Sequence, residues 1–234
     1  MRINAKALIA LALLIGLLPT AGFALSPYSQ NFDSLTQSDS AALSNVGWKV
    51  FANVFGPDWG YWYGYGAFPA PNGSGAFSNV GALDGGQQIV VFSDYNNANH
   101  NDGAHINSLV FQEQTVAAGD VGETWVFDFD GMHGDLAAAS TAGAFIKTLN
   151  PAAGWAQTNY LTVDTTNIPA SWGHYSISIT IDASLVGQLL QFGFENWATL
   201  YQPSGMNYDN VWFHTNAPVP AEDASFGSVK ALFR

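Results

Sequence analysis

The feature that most restricts this chain is a period-two alternation of apolar and polar residues in short runs. Thr124 to Asp130 (TWVFDFD) sends Trp125, Phe127 and Phe129 one way and Val126, Asp128 and Asp130 the other. His174 to Asp182 (HYSISITID) repeats the pattern. Gln87 to Phe92, Ile106 to Val116, Leu189 to Asn196 and Met206 to His214 read as further strands. Tyr28 to Asp33, Val46 to Phe55, Ala144 to Leu149 and Tyr160 to Val163 are shorter or weaker ones. Ser34 to Asn45 is polar and leaves room for a helical turn. About ten strands, short loops and no long helical period predict an all-β fold, a two-sheet antiparallel β-sandwich. No fixed-period repeat is present, which argues against a propeller or solenoid.

Three segments divide the 234 residues. Residues 1–24 read as a signal peptide: Arg2 and Lys6 precede the apolar run Leu8 to Leu18, and Gly22-Phe23-Ala24 supplies small residues at the cleavage positions. The mature chain is expected to start near Leu25 or Ser26. Residues 25–215 form the sandwich. Residues 216–234 are a linker, Asn216 to Asp223, and a short amphipathic tail in which Phe226, Val229 and Phe233 fall at roughly helical spacing. No later stretch has the roughly 20 apolar residues of a membrane span. The expected location is extracellular or at the cell surface. There are no cysteines, so disulfides and thiolate chemistry are excluded.

Charge narrows the partners. Six Lys and Arg face eighteen Asp and Glu, and between Leu25 and Asn216 only Lys49 and Lys147 are basic. Nucleic acid needs a basic surface and is excluded as a partner. Anionic polymers and membranes are repelled. Neutral polysaccharides or glycans and divalent cations stay compatible.

The densest local feature is Asp58 to Gly75 (DWGYWYGYGAFPAPNGSG). Read as an unbroken strand, it places Trp59, Tyr61, Tyr63 and Tyr65 on one face, with Trp62 and three glycines on the other. Such a ladder either fills a core or stacks on the apolar face of sugar rings, with Asn72 and the polar loop from Asp94 binding hydroxyls. That loop, Asp94 to His105, also holds Asn96, Asn99, His100 and Asp102, oxygen and imidazole groups able to ligate a cation. Glu113, Asp128, Asp130 and Glu195 lie in predicted strands. Glycoside hydrolysis would need two such carboxylates about 5–9.5 Å apart. No nucleophile-elbow, zinc-protease or phosphate-loop motif occurs.

Asn31-Phe32-Asp33 in the first strand, Gly47-Trp48 soon after it and the closing Tyr208-Asp209-Asn210-Val211 carry a resemblance. Together they resemble galactose-binding-like jelly rolls, which include carbohydrate-binding modules of secreted bacterial glycoside hydrolases. The resemblance implies a jelly-roll sandwich and a structural calcium held by Asp33 and Asp209, with Asn31 as a further ligand. It implies a secreted, non-catalytic carbohydrate-binding role, for which Trp59, Tyr61, Trp62, Tyr63, Tyr65, Asn72 and Asp94 are the ligand-binding candidates. Two other classes remain open: an extracellular structural or adhesive protein that assembles or docks through its tail, and a polysaccharide-degrading enzyme.

Overall fold

The computed structural model describes residues 24–66, 77–78, 81–83, 86–93 and 98–216. Within them lie twelve strands: β1 Tyr28–Gln30, β2 Lys49–Phe55, β3 Tyr61–Gly66, β4 Phe77–Ser78, β5 Gln88–Val91, β6 His105–Thr115, β7 Thr124–His133, β8 Ser140–Asn150, β9 Ala156–Asp164, β10 Gly173–Thr180, β11 Leu189–Ala198 and β12 Met206–Thr215. One helical turn, α1 Ala42–Asn45, occupies the polar segment before β2.

The strands form two antiparallel six-stranded sheets. The first sheet runs β10-β7-β12-β5-β4, with β1 paired to β12. The second runs β3-β2-β6-β11-β8-β9. Non-consecutive neighbours in both sheets mean that the chain repeatedly crosses between them. The predicted β-sandwich is therefore the observed architecture. The two-residue β4 is too short to show an alternation and was not expected.

The core is built by the alternation itself. From the first sheet, Trp125, Phe127 and Phe129 of β7 and Val211 and Phe213 of β12 point inward. From the second, Leu190, Phe192 and Phe194 of β11 and Ala142, Ala144 and Ile146 of β8 meet them. Aromatic rings join the layers: Phe192 stacks on Phe213 at 4.1 Å between centroids, and Phe194 on Tyr208 at 3.8 Å. Tyr208 is fully buried and exchanges a hydrogen bond with the Thr165 hydroxyl at 2.7 Å. Burial is the main reason that its phenol titrates well above the usual tyrosine range. Trp48, from the Gly-Trp pair, closes one end of the core and stacks on Phe194.

Because inward positions on β6, β8 and β11 are filled this way, the alternate residues of the same strands must face outward. That outer surface carries the site.

Candidate functional site

Three registered rows define the outer face of the second sheet. Glu113, Gln191 and Lys147 lie side by side across β6, β11 and β8. Phe111, Gly193 and Phe145 form the next row, and Leu109, Glu195 and Gly143 the third. Phe51 of β2 pairs with Leu109, and Tyr160 of β9 with Lys147. Leu109, Phe111, Phe145 and Phe51 pack together as an apolar patch on the outside of the sheet. Gly193 keeps its middle thin. A Cβ there would sit 2.2 Å from the Val110 carbonyl oxygen and 2.6 Å from the Phe111 Cα.

Two hollows open on this face. One, of about 450 Å³, is lined by Phe51, Asn53, Phe111, Lys147, Trp155 and Gln191 among others. The other, of about 360 Å³, has Tyr160, Thr162, Asp164, Glu195 and Trp197 in its wall. Trp155 projects from the β8–β9 turn with positive φ of 67° and is 58% exposed. At the opposite end, Phe55, Tyr61, Trp59, Trp197 and His105 form a second aromatic group. Phe55 lies 5.6 Å from Tyr61 and 5.4 Å from Trp197, and Trp59 stacks on His105 at 3.9 Å.

The structure corrects the unbroken-ladder expectation. Trp59 is not in a strand. It sits in a tight turn with φ of 65°, where its N–H donates to the Gly56 carbonyl and the Gly56 N–H donates to the Gly60 carbonyl. The register of β3 on β2 then shifts between Val54 and Phe55, so that Val54 pairs with Tyr63 but Phe55 with Tyr61. Trp62 is the extra residue of this β-bulge, and one extra residue reverses the faces beyond it. Tyr61 falls on the outer face with Phe55. Tyr63 and Tyr65 fall on the inner side opposite Val54 and Ala52, and Tyr65 packs against Ala52, Val54, Ala104 and Ile106. The Trp62 indole lies over Gly56, where a Cβ would meet its Nε1 at 2.6 Å. Trp59 and Tyr61 are each 59% exposed, so these two rings lie outside the core while Tyr65 packs against it.

The charges on this face are few and mutually engaged. Lys49 pairs with Glu113, which also accepts a hydrogen bond from the Gln191 amide. Glu195 accepts hydrogen bonds from the Tyr160 hydroxyl, from Asn107 Nδ2 at 2.9 Å and from Trp197 Nε1 at 3.2 Å. Burial, then the Glu195 charge, push the Tyr160 phenol well above its ordinary range. Lys147 lies over Phe145 at 4.9 Å from the ring centroid and over Phe111 at 5.6 Å. Desolvation lowers its pKa to about 8, although Glu195 and Glu113 pull it upward. Glu113 and Glu195 lie four residues apart along the sheet, roughly 13 Å, wider than a glycosidase carboxylate pair.

Asp128 and Asp130 lie on the outer face of the other sheet. His214 Nε2 contacts Asp128 at 2.7 Å, His174 Nδ1 contacts Asp130 at 3.1 Å, and Asn210 Nδ2 donates to Asp130 at 2.9 Å.

The first and last strands lie side by side, because β1 pairs with β12. Asp209 is 1% exposed, and its Oδ1 accepts from the Asn210 N–H at 2.7 Å. Asp33 accepts the Gln87 N–H on Oδ1 and Asn31 Nδ2 on Oδ2, both at 2.8 Å. Asn31 and Asn210 line a polar hollow of about 390 Å³ at this seam. Among the described residues, no group of three or more His, Asp or Glu gathers where a metal could sit. Asp33 and Asp209 are not among the residues that line this hollow, so of the three implied ligands only Asn31 faces it. Asn72 and Asp94 lie outside the described residues, as do the leader and the tail. His100 lies in a 3₁₀ turn, Ala98–Asp102, whereas His105 opens β6 and stacks on Trp59.

Sequence reading missed Trp155, Trp197, Phe51, Phe111, Phe145, Tyr160 and Lys147 as members of one face. The signal for the strand residues was present: Leu109, Phe111 and Glu113, or Gln191, Gly193 and Glu195, share the odd phase of their strands. Trp155 stands alone in a turn and has no periodic signal.

No helix of the described residues is long and apolar enough to cross a membrane. No protein-family model matches the chain, and no curated protein matches it. Solved structures do, at the level of fold. A two-module structure of Clostridium thermocellum xylanase 10B, comprising CBM22-1 and GH10 modules with xylohexaose, matches over 81% of this chain with 9% identity and a TM-score of 0.43. The match spans 28% of that longer chain. The CBM22-1 xylan-binding domain of Paenibacillus barcinonensis Xyn10C matches over 83% of this chain and 97% of its own, with 10% identity and a TM-score of 0.45. A cyclase from Fischerella sp. TAU matches over 80% and 96%, with 13% identity and a TM-score of 0.44. All three likenesses stay at or below 13% identity and a TM-score of 0.45.

Proposed function

We propose that this protein is a secreted, non-catalytic polysaccharide-binding module, and that the outer face of the second sheet takes the polymer. One observation supports this most: exposed rings stand at both ends of a single hollowed sheet face, Trp155 at one end and Trp59 with Tyr61 at the other. From His105 to Glu113 the face runs roughly 27 Å, the length of an oligosaccharide rather than a single sugar. Rings supply stacking, and Asn53, Asn107, Gln191 and Thr162 supply hydroxyl partners. Lys49 and Lys147 offset Glu113 and Glu195 locally, while the whole chain carries a net charge of −12. Both facts favour a neutral polymer.

The test is affinity electrophoresis against a panel of neutral polysaccharides. Retardation by at least one is expected, reduced on the order of tenfold in apparent affinity by Trp155→Ala and by Tyr61→Ala. No retardation by any polymer, or none lost in either variant, contradicts the reading. An enzyme would instead release reducing ends and stop doing so on Glu195→Gln.

The reading includes a structural calcium at the β1–β12 seam, with Asp209 as its buried carboxylate and Asn31 and Asp33 alongside. Chelation should lower the melting temperature, since a ligand bound only by the folded chain stabilises it. An unchanged value removes the ion from the account.

A further inference from the structure

Leu25 lies at the start of the described sandwich, three residues before β1. Its side chain is buried in the main core. Its main-chain nitrogen lies 3.1 Å from Asp120 Oδ1 and 3.1 Å from Asp120 Oδ2. Asp120 ends a single 3₁₀ turn, Ala118–Asp120, is 3% exposed, and also accepts the Ala117 N–H at 2.8 Å. Ser26 is fixed next door: its N–H donates to Gln114 Oε1 at 2.7 Å, and Gln114 Nε2 donates to its carbonyl at 3.0 Å. Ala24, one residue earlier, is exposed.

A buried carboxylate is costly without a compensating charge. Lys49 and Lys147 both stand on the outer face of the second sheet, Lys49 with Glu113 and Lys147 over Phe145. A single amide N–H must split one proton between the two carboxylate oxygens as a bifurcated hydrogen bond. An ammonium, with three protons and a positive charge, can serve both. The residues before Leu25 are Gly22-Phe23-Ala24, small at the positions an export peptidase reads.

We propose that the Ala24–Leu25 bond is the processing site, and that the Leu25 α-ammonium so created forms a buried ion pair with Asp120. Water, delivered by the exporting host's peptidase, adds across the amide. The carbon–nitrogen bond breaks, Ala24 leaves as a carboxylate, and Leu25 keeps the nitrogen, which is protonated. The fold then acquires this charge pair only after the leader is gone. An unprocessed chain offers Asp120 a neutral amide at the same point.

The full-length chain is produced in a secreting bacterial host, and the N-terminus of the exported protein is read by mass spectrometry. A start at Leu25 is expected; any other start overturns the proposal. The purified protein is then compared with its Nα-acetylated form in denaturant. Acetylation is expected to raise the unfolding equilibrium constant on the order of a hundredfold, and Asp120→Asn to remove the difference between the two forms. Equal stability of free and acetylated protein overturns the ion pair, and that comparison requires no variant to fold.

Discussion

Gly193 and Lys147 show how single residues shape the outer face of the second sheet. Gly193 is required because the backbone of β6 passes too close for any Cβ. Gly193→Ala should destabilise the protein by about 1–3 kcal/mol, the cost of overpacking, with a matching drop in denaturation midpoint. Lys147 is a charged group held where charge is unfavourable. Its folded pKa of about 8 lies below its unfolded value of 10.5. Between these two values the unfolded chain binds the extra proton, so this group's contribution to stability rises with pH across that window. Below about pH 8 the penalty is present in full. Lys147→Met keeps the stem packed on Phe145 and removes the charge. It should flatten the stability–pH profile between pH 8 and 10 and raise stability at pH 7, as urea midpoints at several pH values would report. A slope that persists in Lys147→Met would assign it to another group.

At the level of elements, alternation carried most of the legible information. The runs in β7, β10 and β12 were readable because their inward residues meet a second layer and their outward ones are more open to water, whereas β11 alternates in polarity with both faces covered. The rings Phe192 and Phe213 seal those layers, and Phe192→Ala should cost about 3–5 kcal/mol. The aromatic stretch was legible as a feature and not as a geometry. Its composition shows six rings; its faces depend on the bulge at Trp62, and a bulge is set by pairing with β2, which local sequence does not encode. Trp59 was assigned to the strand because Gly60 and Tyr61 continue the pattern, yet the Gly56–Gly60 turn takes it out. The consequence is measurable. Tyr65→Ala should lower stability through lost packing on Ala52 and Val54 while sparing ligand affinity, and Tyr61→Ala should do the reverse. Equal effects of the two on affinity would put the bulge in the wrong place.

For the whole molecule, the two sheets divide the work. The first pairs the first and last strands at the β1–β12 seam and holds the Asp128–His214 and Asp130–His174 contacts on its outside. The second presents the hollowed face flanked by Trp155, Trp59 and Tyr61. The acidic excess was readable from composition and rules out polyanions at long range. The face itself was not, because it is assembled from all six strands of the second sheet and from two turn residues, Trp59 and Trp155. The most direct measurement is titration of the mature protein with the neutral polysaccharide that retards it best, followed by isothermal calorimetry and repeated with Trp155→Ala. Binding with a clear heat that weakens on the order of tenfold in the variant, at unchanged melting temperature, is the predicted result. Binding of full strength in both Trp155→Ala and Tyr61→Ala would show that the polymer is held elsewhere.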